Sequence, residues 1–90
     1  MKRRDTIARK IGALTPALLR AFAHEGEACV PPVIVRALAD AWIALDGGEH
    51  ARADRLVQVI RFLIERESVK FRANPTAWLE RQRTLVELAA

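Results

Sequence analysis

Two apolar runs are separated by the four residues Asp46-Gly47-Gly48-Glu49, and this break limits the chain to a short list of folds. Val33 to Leu45 precedes it, and Ala53 to Ile64, with the strongest helical periodicity in the sequence, comes after it. Two glycines allow a sharp reversal, because a residue without a Cβ adopts positive φ at little cost. Asp46, with Glu49 three residues on, has the spacing of a capping box for the next helix. The pattern predicts an antiparallel helical hairpin at the centre of the chain.

The rest of the sequence reads as helix around that hairpin. Ile7, Ile11, Leu14, Leu18 and Phe22 recur at intervals of four, three, four and four, which places them on one helical face. Thr6 is a candidate cap for its start. Thr15-Pro16 has the order of an N-cap followed by proline at the first helical position. Residues 6 to 24 therefore form either one kinked helix or two short ones meeting near Gly12-Ala13-Leu14. The unbroken phase of the apolar stripe favours continuity.

Residues 25 to 32 form a connection, with Pro31 and Pro32 at the threshold of the next helix. That helix is expected to turn Ile34, Leu38, Ala41, Trp42 and Leu45 inward. The third places Ala53, Leu56, Val57, Ile60, Leu63 and Ile64 inward and Arg52, Arg55, Gln58, Arg61 and Glu65 outward. Val59 and Phe62 widen its apolar stripe beyond what one neighbouring helix covers. Asn74-Pro75 starts a last helix to about Leu88, carrying Trp78, Leu79, Gln82, Leu85 and Val86 on one side. The fold class expected is all-α, one domain over residues 1–90: a small bundle of four helices, or five if the first divides.

Ninety residues support only a thin core, since a domain this size buries about 60 % of its unfolded surface. Hydrophobic residues nevertheless make up 51 % of the chain, so apolar area is left over for a partner, another copy of the chain included. Over residues 37 to 64 the hinge and the Ala-rich start after it resemble a tetratricopeptide-like helical hairpin without a second copy. The resemblance implies recognition of a partner helix. Trp42 and Trp78 are the anchor candidates, because tryptophan in a pocket dominates interface energetics, and Val59 and Phe62 complete the expected partner-binding set. Both tryptophans also fit ordinary core positions.

Charge is unevenly placed. Residues 1 to 20 hold six Lys/Arg against one acid, residues 21 to 50 one against five, and residues 51 to 90 eight against five. A basic N-terminus suits phosphate backbones, so the alternative function is a nucleic-acid-associated protein using Arg3, Arg4, Arg9 and Lys10, with Arg52, Arg55, Arg61, Arg66, Lys70 and Arg72 in support. Ile7 to Leu18 has some helix-turn-helix character. The segment that would read bases, Pro16 to His24, offers only Arg20 and His24, too few polar side chains for direct readout.

Catalytic and cofactor chemistry find no support in the sequence. A zinc site built from Cys29, His24 and His50 lacks a fourth ligand, and the lone cysteine cannot form an internal disulfide. Ser68 beside Glu67 and Lys70 is no nucleophile–base–orienter set, and Gly47-Gly48 leads into no phosphate-loop pattern. No catalytic residue, cofactor, metal or small-molecule substrate is expected. No apolar stretch approaches the roughly 20 residues of a membrane span. The Met1-Lys2-Arg3-Arg4 start resembles a signal-peptide n-region, but Arg9, Lys10 and Arg20 interrupt the apolar segment after it. A cytoplasmic, non-enzymatic helical adaptor, inhibitor or small subunit is the function expected.

Overall fold

The stripe from Ile7 to Leu18 forms one helix, α1 (Arg3–Ala21), and buries Ile7, Ile11, Leu14 and Leu18. A computed structural model describes residues 2–89. Helix α1 runs through Pro16 without dividing, so the five-helix alternative is not realised. A proline ring inside a helix crowds the carbonyl four residues back. Here that residue is Gly12, which has open space where a Cβ would stand. The helix also begins earlier than Thr6. Thr6 lies inside its first turns and donates its hydroxyl to the Lys2 carbonyl at 3.5 Å rather than capping the start.

The connection after α1 is more ordered than its composition suggests. Two short strands, β1 (Ala23–His24) and β2 (Glu27–Ala28), pair antiparallel, with Ala23 opposite Ala28 and His24 opposite Glu27. Both loop residues have positive φ, 51° at Glu25 and 81° at Gly26, the signature of the tight turn that suits strand twist. The Cys29 N–H donates to the Phe22 carbonyl at 2.8 Å and closes the hairpin onto the end of α1. The described residues are mostly helical, as expected, and this pairing is a small departure from an entirely helical chain. The four helices stand, with a two-residue ladder between the first and second.

Helix α2 (Pro32–Asp46) starts with Pro32 at its first position, preceded by the buried Pro31 in an extended conformation. At its end the Glu49 N–H donates to the Ala44 carbonyl at 2.9 Å and the Gly48 N–H to the Leu45 carbonyl at 3.1 Å. These bonds close a Schellman motif with Gly48 at φ 77° in the left-handed position. The expected capping box does not form. Asp46 is the last residue of α2, and Glu49, just before the next helix, makes no side-chain cap.

Helix α3 (His50–Ala73) ends at the break expected near Asn74-Pro75, beyond the apolar run that closes at Ile64. Its inner line continues through Glu67, Ser68 and Phe71, all buried. Two of these are polar, which hid the continuation. Glu67 holds its carboxylate between Arg66 Nε at 3.4 Å and Lys70 Nζ at 3.5 Å, and the Ser68 hydroxyl donates to the Glu65 carbonyl at 3.1 Å. Helix α4 (Pro75–Ala89) begins as expected, with the Ala77 N–H donating to Asn74 Oδ1 at 3.2 Å.

One core joins the helices: Ile7, Ile11, Leu14, Leu18 and Phe22 meet Ile34, Ala41, Ala44 and Leu45 from α2 and Ala53, Val57, Ile60 and Phe71 from α3. Helix α4 adds Trp78, whose ring stacks on Phe22 at 5.4 Å between centroids and meets Phe71 edge-on at 5.0 Å. Such aromatic pairs are worth about 0.5–1.5 kcal/mol beyond the area they bury.

Candidate protein interface

Helix α2 is apolar nearly all round. Its fifteen residues include only three charges, Arg36, Asp40 and Asp46. A helix with no polar side is normally covered on every side, yet this one is covered on one. Ile34, Ala41, Ala44 and Leu45 enter the core, while Pro32, Val33, Val35, Arg36, Ala39, Trp42 and Ile43 stand exposed. Positions 35, 39, 42 and 43 match the i, i+4, i+7, i+8 spacing of a single helical face. Ile43 is 68 % exposed and Trp42, at the edge of the face, 38 %. Arg36 makes no ion pair among the described residues, and Asp46 at the far end accepts from Arg4 Nη2 at 3.3 Å. Depletion of charge with an aromatic present is the composition of an interface core.

The outer face of α3 differs. Val59 and Phe62 are 47 % and 60 % exposed, so α4 does not cover them. They share that side with Arg55, Glu65, Arg66 and Lys70, all exposed. The Arg66 guanidinium lies 5.9 Å from the centre of the Phe62 ring, and an open groove of about 450 Å³ is lined by Phe62, Glu65, Arg66, Val69 and Lys70. Charged side chains thus interrupt this apolar patch. On α4, Leu85, Val86 and Leu88 are exposed, beyond the buried Trp78.

Of the partner-binding set Trp42, Val59, Phe62 and Trp78, three residues lie at the surface and one does not. Trp78 is 2 % exposed and belongs to the core. It lies against Phe22 and Phe71 because the connection at Asn74 brings the start of α4 back onto the end of α3. Its indole Nε1 is buried with no hydrogen-bond partner among the described residues, which offsets part of the gain from its burial. Trp42 is not with the inward residues of α2 but at the rim. Sequence reasoning missed Val35, Ala39 and Ile43, although the lack of any polar side on α2 was a signal for all three.

Two residues of the basic set are held by carboxylates. Lys10 Nζ donates to Asp54 Oδ1 at 3.2 Å, and with the Arg4–Asp46 pair this ties α1 to the end of α2 and the start of α3. Arg3 and Arg9 are exposed, without an ion pair among the described residues. Residues 7 to 18 lie within one continuous helix, so they contain no helix-turn-helix. Among the described residues no three His, Cys, Asp or Glu side chains converge as a metal ion requires, and no helix is long and apolar enough to cross a membrane. Comparison with protein-family models, curated proteins and solved structures finds no match for the chain.

Proposed function

We propose that this chain is a non-enzymatic protein-interaction module, an adaptor, inhibitor or small subunit of a larger assembly. In this reading α2 and α3 form an antiparallel hairpin within a helical bundle, and the outer face of α2 receives a protein partner. One observation carries it: a helix with almost no polar side leaves Val35, Ala39, Trp42 and Ile43 uncovered. A nucleic-acid reading has weaker support, because two of its four cations, Arg4 and Lys10, are engaged by carboxylates.

Affinity capture from native lysate separates the two readings. The bait is the full chain, wild type or Ile43→Glu, with and without nuclease. The module reading expects partners that survive nuclease and are lost with Ile43→Glu. Partners that disappear with nuclease and ignore the substitution would transfer the function to Arg3, Arg9 and the other free cations.

A further inference from the structure

We propose that the occupant of the α2 face is a second copy of this chain, docked antiparallel about a two-fold axis through Ala39. The proposal rests on the module reading and names its partner. A compact monomer of 10.1 kDa exposes about 5,300 Å², whereas this chain exposes 6046 Å². Its radius of gyration, 14.1 Å, likewise exceeds the ~12 Å of a compact 90-residue domain. The surplus area, about 750 Å², is close to the ~800 Å² that each partner contributes to a standard interface. The chain leaves uncovered about as much as one dimer contact covers.

Composition and symmetry select the face. The exposed sides of α3 and α4 are interrupted by Arg55, Arg66, Lys70, Arg81, Arg83 and Glu87, whereas the middle of the α2 face carries only Arg36. Homodimers close most often by a two-fold axis, which sets the same patch against itself. With Ala39 on that axis, an antiparallel partner places Val35 of one copy opposite Ile43 of the other. On the flank that positions 35 and 42 share, it packs Val35 beside the second copy's Trp42. Alanine at the crossing leaves room for close approach of the two helices.

Sedimentation equilibrium across a micromolar series tests this on the full chain. Expected is a concentration-dependent dimer whose dissociation constant rises more than about 100-fold in Ile43→Glu, since a central interface position changes twice per dimer. Phe62→Glu, on the charge-interrupted α3 face, should change it less than about 3-fold, as a residue outside the contact does. Both positions are exposed, so far-UV circular dichroism should show unchanged helix. A Cys29→Ser/Ala39→Cys chain should form a disulfide-linked dimer on oxidation, because the two Cβ atoms face each other across the axis. A monomer at every concentration overturns the self-pairing. If that monomer still captures another protein in an Ile43-dependent way, the module reading survives it; if not, both fall. A dimer indifferent to Ile43→Glu and unlinked at position 39 overturns the assigned face.

Discussion

Trp42 and Trp78 place the same side chain in two opposite settings, and the difference shows how this chain divides its apolar surface. Around Trp78, three aromatic rings, from α3, α4 and the residue that caps α1, close on one another at 5.0 to 5.9 Å and exclude solvent. The cluster joins the C-terminal helix to the rest. Around Trp42, residues of equal hydrophobicity face outward with nothing over them. The first region completes a fold within the chain. The second has the composition of a core and the exposure of a surface, which is why we assign it to docking.

The largest effect that sharpens this contrast is at Trp78. Trp78→Ala should cost about 3–5 kcal/mol in urea unfolding, with loss of α4 helicity. Ile43→Ala on the open face should shift folding by less than about 0.5 kcal/mol at concentrations where the chain is monomeric. Comparable losses at both positions would erase the distinction between fold and docking surface.

Next is the turn that ends α2. Gly48 sits at φ 77°, where any side chain is strained, so Gly48→Ala should lower stability by about 1–2 kcal/mol. Because nothing lies within 4 Å of the added Cβ, the loss should come from the backbone alone, and Gly48→Asn should recover part of it. An Ala variant as stable as wild type would mean that the Schellman closure contributes nothing to where α2 stops.

The smallest effect concerns the ion pairs. Arg4–Asp46 and Lys10–Asp54 are solvent-exposed or nearly so, and each should contribute less than about 0.5 kcal/mol, declining with added salt. Arg4→Ala and Lys10→Ala should therefore leave the unfolding midpoint almost unmoved in about 0.5 M salt. A larger loss would show that these residues build the fold to a degree that rules them out as a binding surface.

Much of the fold was legible before the structure. Proline and glycine punctuation located the breaks at Pro31-Pro32, Gly47-Gly48 and Asn74-Pro75, because those residues limit backbone conformation whatever surrounds them. The stripe from Ile7 to Leu18 located the face of α1 for the same local reason. The hairpin at residues 23 to 28 was hidden, since Glu25-Gly26 lacks the Asn or Asp that usually marks such a turn. The buried residues of α3 beyond Ile64 were hidden because Glu67 and Ser68 occupy its inner line.

The candidate interface was half legible. Periodicity identifies a buried face only when the other face is polar, and α2 offers no such contrast, so Trp42 read as inward when it lies at the rim. Nor did spacing along α4 distinguish Trp78, which reaches Phe22, from Leu85 two turns later, which stays at the surface. Depth of burial depends on where the neighbouring helices end, a tertiary fact with no local signature.

The most direct test uses Trp42 as its own reporter. The chain has two tryptophans, so Trp78→Phe leaves Trp42 alone while keeping an aromatic ring in the core and removing the unpartnered indole N–H. The emission of this variant should move to the blue as its concentration rises through the micromolar range, with acrylamide quenching falling in parallel. Adding Ile43→Glu should abolish both changes. Emission that stays at its exposed wavelength, equally quenchable at every concentration, would contradict the claim that a second copy covers the α2 face.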